Sequence, residues 1–294
     1  MRELSVAIVS YNAREELSAC LESIYGGVHP DLEVIVADNA STDGSASMVR
    51  DRFPQADLVT LESNVGFSRA NNVCWRRAES DLIVFLNADT IVPQGAFERM
   101  LVLMRTRTEL GALGPLLRND DGSVQMSFGS MLSPTSELGQ KIVNAGYRNG
   151  AGPLRRYVER RHARERTVDW VSGACLVTRR SLLDTIDGFD EAFFLYSEDV
   201  DLCARIRKTG AKILFTPQIE ITHLKGRSMS KVRDRAFYES QRSRLHFYAK
   251  HYGQPRFGLL KLYMTVRLGL AYLFHPSARA AYRKTLRLLV GDST

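Results

Sequence analysis

Cysteine is scarce in this chain. Four occur in 294 residues, at Cys20, Cys74, Cys175 and Cys203, and no two form a CxxC pair. That spacing signals neither a zinc site nor a disulfide framework and fits a reducing compartment. Glycine-rich phosphate loops are missing as well. The turn after the first apolar run reads SYNARE, with no GxGxxG and no P-loop lysine, which argues against a nucleotide-dependent oxidoreductase. The opening MRELSVAIVSYN has no apolar core ahead of a cleavage site, so no secretory leader is expected. With only nine prolines and 44% hydrophobic residues, the chain is neither disordered nor collagen-like, and its length leaves room for one large α/β domain or two medium ones.

Positive charge is plentiful but unevenly placed. Residues 224–294 hold 15 Lys/Arg against 3 Asp/Glu, whereas the first 223 hold 25 against 30. The overall +7 is therefore a property of the tail. Such asymmetry implies an anionic partner surface, membrane or nucleic acid, or else a solvated helical face. No helix-turn-helix, zinc-finger or RNA-binding signature accompanies it, so no nucleic-acid partner is expected.

The apolar runs LSVAIVS (4–10), LEVIVAD (32–38), ADLVTLE (56–62) and DLIVFLNAD (81–89) predict buried parallel strands. Helical spacing over 15–25, 45–53 and 70–78 separates them, so βαβ units are expected. In open sheets of that kind, ligands sit beyond the carboxyl ends of the strands. The polar groups there are Ser10, Tyr11 and Asn12, then Asp38 and Asn39, then Asn64, then Asn87 and Asp89. Beyond Gly114 the pattern is irregular, with hairpin-like turns, a charged and solvent-facing run over 154–166, a strand entering a helix over 169–186, a helix from about Ser197 to Gly210, and two short strands over 212–226.

Three groups carry candidate chemistry. Asp89 at a strand end is either a turn acid or an oxygen ligand for a hard divalent cation. Glu198, Asp199 and Asp201 open a helix after FFLYS; they either complement its dipole or supply a general base of raised pKa. His223, Lys225 and Arg227 in ITHLKGRS suit anion or diphosphate binding.

Seven segments, in order between about residues 4 and 235, resemble the family 2 glycosyltransferases of the GT-A fold, and among them the rhamnosyltransferases. They are VAIVSYN, VADNASTDGS, NVGFSRANN, FLNADT, VSGACLVTRR, GFDEAFFLYSEDVDLCAR and THLKGRS. The resemblance implies a mainly parallel, Rossmann-like sheet flanked by helices, and inverting transfer of a sugar, rhamnose from dTDP-rhamnose, to a hydroxyl of a glycan or polyprenyl-linked acceptor in cell-surface polysaccharide synthesis. By position, Ser10, Tyr11, Asp38 and Asn39 would hold the base and ribose, with Asn12 in the same turn, and Asn64, Gly66 and Arg69 would line the nucleotide pocket. Asp89 and His223 would bind Mg²⁺ or Mn²⁺ bridging the diphosphate, with Lys225 or Arg227 near the phosphates. Asp199 falls at the family's catalytic base, and Glu198 would orient the acceptor or the base. The chain departs from the family's Asp-x-Asp at Asn87-Ala88-Asp89. Asn87 can bond ribose or a ligand water but adds no charge, so the metal would bind chiefly together with the nucleotide-sugar. The alternatives are a UDP-sugar-dependent transferase of the same family and a non-catalytic sugar-nucleotide-binding protein; the latter would have lost Asp89 or Asp199, and both are present.

The expected division is a transferase domain over 1–240, with a nucleotide-sugar half to about 115 and an acceptor half over 116–240, followed by a basic amphipathic tail over 241–294. Within that tail, FGLLKLYMTVRLGLAYLF (257–274) is interrupted by Lys261 and Arg267, which makes spanning a bilayer costly. It is expected to lie in the membrane interface, giving a cytoplasmic protein peripheral to the inner membrane face. The alternative is packing on the catalytic domain or on a second copy in a homodimer.

Overall fold

The computed structural model describes residues 2–27, 31–224, 233–274 and 279–290. Its first part alternates as the apolar runs predict: β1 (Leu4–Ser10), α1 (Arg14–Tyr25), β2 (Leu32–Asp38), α2 (Ser45–Arg52), β3 (Asp57–Thr60), α3 (Phe67–Arg77) and β4 (Leu82–Asn87). β1 lies between β2 and β4, β3 extends the row beyond β2, and all four are parallel. The first, second and fourth are buried along almost their whole length, which is why their apolar residues run consecutively instead of alternating. α1 packs Leu17, Cys20, Leu21 and Ile24 on one face of the sheet, and α3 packs Ala70, Cys74 and Trp75 on the other. All four cysteines are buried free thiols. Burial pushes those of Cys20, Cys74 and Cys203 up to about 12, so they serve as small apolar fillers rather than nucleophiles.

The chain continues through β5 (Thr90–Ile91), α4 (Ala96–Thr106), β6 (Leu110–Arg118), β7 (Val124–Gln125), β8 (Phe128–Gly129), α5 (Pro134–Arg148), α6 (Gly152–His162), β9 (Arg166–Val168), β10 (Trp170–Val171), β11 (Cys175–Arg179), α7 (Arg180–Ile186), α8 (Glu198–Lys208) and β12 (Lys212–His223). The strand order is β3-β2-β1-β4-β11-β6-β12-β5. β11 enters antiparallel between β4 and β6, so the sheet is parallel in its first four strands and mixed beyond them. β6 and β7 form the hairpin that the turn residues announce.

Three local expectations change. The segment 212–226 holds one strand rather than two: Pro217 has no N–H to give the ladder, and the register slips between Thr216 and Glu220 without ending the strand. The run over 154–166 is largely helical. Pro153 starts α6, Val158 and His162 are buried, and His162 packs on Phe128 while most of the arginines face outward. The fourth strand stops at Asn87, whose carbonyl accepts the Thr90 hydroxyl at 2.8 Å, and the chain turns there into β5.

Three helices follow: α9 (Arg233–His251), α10 (Gln254–Phe274) and α11 (Arg279–Val290). Residue 240 lies inside the first, so the division expected at 240/241 cuts through a continuous helix. Phe247, Tyr248, Leu260, Met264 and Leu268 bury against Phe193 and Val200 of the transferase body. Charge reinforces that contact. Asp201, fully buried in α8, accepts from His251 Nε2 at 2.7 Å and Arg205 Nε at 2.7 Å, and lies 2.9 Å from Lys250 Nζ. Burial alone would raise this carboxyl; the hydrogen bond from His251 and the charges of Arg205 and Lys250 outweigh it and hold the group below the usual carboxylate range.

Removing that charge strands its cationic partners. Asp201→Asn should cost about 3–5 kcal/mol of stability near neutral pH. A depressed carboxyl contributes stability above its unfolded pKa and loses it as pH falls through the folded value. The gap in melting temperature between wild type and variant should therefore shrink on acidification. A gap that is small at pH 7, or constant with pH, refutes the account.

Candidate active site

A cavity of about 680 Å³ opens beyond the carboxyl ends of β1 and β4. Tyr11, Asn39, Asn64 and Gly66 form one wall. Asn39 clamps the loop opposite it: its Nδ2 donates to Asn64 Oδ1 and to the Gly66 carbonyl, and its Oδ1 accepts from Val65 N–H at 2.9 Å. Gly66 has φ +89°, and a Cβ there would stand 2.6 Å from the Phe194 carbonyl oxygen, so only glycine lets this loop pass Phe194. Beneath the wall, Ser10 and Asp38 are buried. Asp38 Oδ2 accepts from Ser41 N–H, while Asp38 Oδ1 and Ser10 Oγ have no hydrogen-bond partner. Buried polar atoms left so are exceptions that call for a ligand or a water.

Two expected residues are not brought to this wall. The Asn12 side-chain oxygen accepts from Thr42 N–H at 2.8 Å and its own N–H donates to Ser41 Oγ, so it shapes the loop after β2. Arg69 turns outward and donates to Glu191 Oε2 at 2.7 Å. Lys225 and Arg227 lie outside the described residues.

The opposite wall carries Asn87, Asp89 and His223. Pairing of Thr222 with Ile91 and of His223 with Thr90 carries the end of β12 to the turn after β4. His223 Nε2 then stands 3.0 Å from Asp89 Oδ1 and 3.2 Å from Asn87 Nδ2. On its other side, His223 Nδ1 meets Gln125 Oε1 at 2.9 Å. An amide oxygen only accepts, so Nδ1 carries the hydrogen, and Nε2 is the nitrogen that faces Asp89 and the Asn87 amide. A ring nitrogen and a carboxylate oxygen at that distance share a proton or a cation between them. The donors, one carboxylate and one oriented imidazole, suit a divalent ion. Among the described residues no group of three or more His, Cys, Asp and Glu side chains could hold a metal, so an ion here would complete its shell with oxygens of a bound molecule.

The acids enter from a third direction. Tyr196 and Ser197 are consecutive non-glycine residues at positive φ, 71° and 64°, the kind of strain that clusters at functional sites. They swing the chain so that Glu198 and Asp199 begin α8 on the cavity wall. Asp199 Oδ2 accepts from Gly173 N–H at 2.9 Å and Oδ1 from Val200 N–H at 2.8 Å, which fixes the carboxyl plane. Glu198 Oε2 is buried without a partner. Burial pushes both carboxyls above their ordinary range, and the charge of Asp199 raises Glu198 further. The two titrate as a pair. Asp201 belongs elsewhere, in the contact with α9.

Among the cavity residues that escaped the sequence reading are Gln125, Trp170, Gly173 and Arg235. Gly173 lies within VSGACL, but its role depends on Asp199 far along the chain. Arg235 comes from the tail and stacks over Phe194, 4.7 Å from the ring centroid. Its only signal was the basic composition of that segment.

Residues 2–244 match the family model described as Glycosyltransferase like family 2. The chain belongs to this family. This glycosyltransferase is 30% identical over 296 residues to the N-acetylglucosaminyl-diphospho-decaprenol L-rhamnosyltransferase of Mycobacterium tuberculosis, across 97% of this chain and 95% of that one. It is 25% identical over 228 residues to the rhamnosyltransferase WbbL of Escherichia coli, across 74% and 82%. The mannosyltransferase of Pyrobaculum calidifontis in complex with GDP-Man and Mn²⁺ superposes with a TM-score of 0.55 at 18% identity, covering 100% of this chain and 89% of that one. Staphylococcus aureus TarS gives 0.59 at 16%, covering 99% and 49%. The fold of this glycosyltransferase is GT-A.

Proposed function

We propose that this glycosyltransferase moves L-rhamnose from dTDP-rhamnose to a hydroxyl of a sugar carried on a polyprenyl diphosphate, with inversion, in the synthesis of a cell-surface polysaccharide. The observation that carries this reading is the identity, sustained along nearly all of both chains, to the mycobacterial N-acetylglucosaminyl-diphospho-decaprenol L-rhamnosyltransferase. Ser10, Tyr11, Asp38 and Asn39 hold the base and ribose, and the unsatisfied Asp38 Oδ1 and Ser10 Oγ are natural partners for them. Asp199 is the general base. It takes the proton from the acceptor hydroxyl as that oxygen attacks C1 of the donor sugar, while the bond from C1 to the diphosphate oxygen breaks and the diphosphate leaves with the electron pair. Glu198, unpartnered beside it, orients the acceptor hydroxyl. Asp89 and His223 hold Mg²⁺ or Mn²⁺, which when bound offsets the charge of the leaving diphosphate.

Asp199→Asn keeps shape and loses basicity. Donor binding should persist while transfer falls by roughly 10²–10⁴-fold. Because the base must be ionised and its carboxyl is raised, wild-type transfer should fail as pH drops through a value above the ordinary carboxylate range of about 4. Transfer by the Asn variant near the wild-type rate, assayed with dTDP-rhamnose and a prenyl-diphosphate acceptor, would reassign the base.

The cation has its own test. Calorimetric titration with dTDP should give tighter binding in Mn²⁺ than in EDTA, and Asp89→Ala or His223→Ala should each remove most of that difference. Equal affinity in both buffers for the unmodified protein eliminates the metal site.

The same reading extends to the membrane. α10 is long and apolar enough to cross a bilayer by length and composition. Leu260, Met264 and Leu268 turn one stripe inward, leaving Leu259, Leu262, Val266, Leu270 and Leu273 exposed on another. An interfacial position buries that second stripe while Lys261 and Arg267 reach the headgroups, which makes the protein peripheral to the cytoplasmic membrane face. Flotation with phosphatidylglycerol vesicles should recover the protein at low salt, and charged replacements at Leu262 and Val266 should abolish recovery. Full recovery of that variant excludes α10 as the contact.

A further inference from the structure

Beside the donor cavity lies a second one of about 410 Å³, between α5 and α6. The two are contiguous, because Met126 and Trp170 line both. Its floor is apolar, with Phe128 and Leu132, while Lys141 and Arg161 supply positive charge at its walls; the lining carboxylate of Glu137 accepts from Arg244 and Tyr248. Among the described residues neither cation has a carboxylate within ion-pairing distance: Lys141 Nζ meets the Tyr263 hydroxyl at 3.3 Å, and Arg161 donates to the Tyr157 hydroxyl at 3.0 Å and stacks over Phe128. His162, buried in the same wall, bonds the Val158 carbonyl through Nδ1 and leaves Nε2 without a partner.

The helix above this cavity lacks an interior. None of the fifteen residues of α5 is buried, although Leu138 and Ile142 lie one turn apart and are 58% and 57% exposed. An amphipathic helix normally owes its stability to an apolar face packed on something. The contact of Lys141 with Tyr263 joins that face to the exposed stripe of α10. From Asp199 outward there thus runs a cavity floored by Trp170, then paired cations, then an apolar surface shared by two helices.

We infer that this groove is the acceptor site for a prenyl-diphosphate-linked sugar, with the diphosphate between Lys141 and Arg161 and the first isoprene units over Leu138, Ile142 and the α10 stripe. The inference rests on the acceptor class proposed above and adds where that acceptor binds. The order of chemistries fits: the sugar hydroxyl must reach Asp199, the diphosphate follows it, and the hydrocarbon comes last. Two separated cations match a diphosphate better than a single phosphate, and an arginine fork can take two of its oxygens at once. The unpartnered His162 nitrogen is an acceptor for a donor group of the bound sugar.

Binding and transfer are read separately. In calorimetric titration without donor, an N-acetylglucosaminyl diphosphate bearing a short prenyl chain should bind the wild type. Lys141→Ala and Arg161→Ala should each weaken it about tenfold, and Leu138→Gln/Ile142→Gln should weaken the prenylated probe while sparing the same sugar diphosphate without its chain. In the transfer assay the cation variants should raise KM for the acceptor about tenfold with kcat within twofold and dTDP affinity unchanged. Absence of probe binding by the wild type, or unaltered affinity in both cation variants, overturns the groove. Binding with the expected losses but no rhamnose transfer leaves the groove standing and overturns the proposed reaction instead. Equal competition by inorganic diphosphate and by the prenylated probe shows a plain anion site and overturns the assignment of the prenyl chain.

Discussion

The acid-bearing side of the cavity hangs on keeping two adjacent carboxyls out of water at the first turn of α8. Moving ionised acids away from water is expensive, and neighbouring like charges add to the cost. The helix N-terminus offsets part of it, and the backbone N–H groups of Gly173 and Val200 offset more at Asp199. What remains must come from rigidity, because a helix free to rotate would let both acids turn to solvent. Asp201, buried two residues further on, is held by Arg205 within α8 and by Lys250 and His251 from α9. Lys250 also bridges to Asp190 at 2.6 Å in the loop ahead of the acids. The tail is therefore a brace for the cavity wall that carries Glu198 and Asp199 as well as a surface of its own.

The opposite wall depends on a different long-range contact. β12 keeps its direction through a bulge, ends against β5, and sets His223 on Asp89. Asn87 adds no charge beside Asp89, and the imidazole of His223 stands against that carboxylate at 3.0 Å. Gln125, on the hairpin strand β7, fixes which nitrogen faces the carboxylate. Three segments well separated in sequence thus converge on one pair of atoms.

The division between what could and could not be read in the sequence follows from this. β1, β2 and β4 were legible because strands buried on both faces must be continuous apolar runs, and the polar residues that end them fall at the cavity by topology alone. The start of α8 was legible because three acids after an aromatic loop fit few other settings. Asn12 and Arg69 show the limit: standing next to a strand end or a cavity glycine does not decide which way a side chain turns, and Thr42 and Glu191 decide it. Gln125, Gly173 and Arg235 were invisible because each matters only through a partner far along the chain. The run over 154–166 faces solvent as its arginines imply, but they hid the helix, which only Val158 and His162 anchor to the body.

β11 lies against both β4 and β6, so between Arg118 and Cys175 the polypeptide makes an excursion that touches the sheet only through the short strands β7 and β9, and returns to the strand beside the one it left. Residues 119–174 are in effect a cassette whose two ends are fixed by neighbouring strands. Lengthening a flexible loop between fixed ends costs only about 0.6 kcal/mol per doubling. The cassette can therefore be shortened, extended or exchanged while the donor-side strands keep their register. Two of its residues are tied to the cavity walls: Gln125, which holds His223 Nδ1, and Gly173, whose N–H must still meet Asp199, and where a Cβ would approach the Asp199 Cβ to 3.3 Å. With the acceptor seated as proposed, the architecture lets evolution change what is glycosylated without rebuilding the donor-side strands, provided that Gln125 and Gly173 are kept.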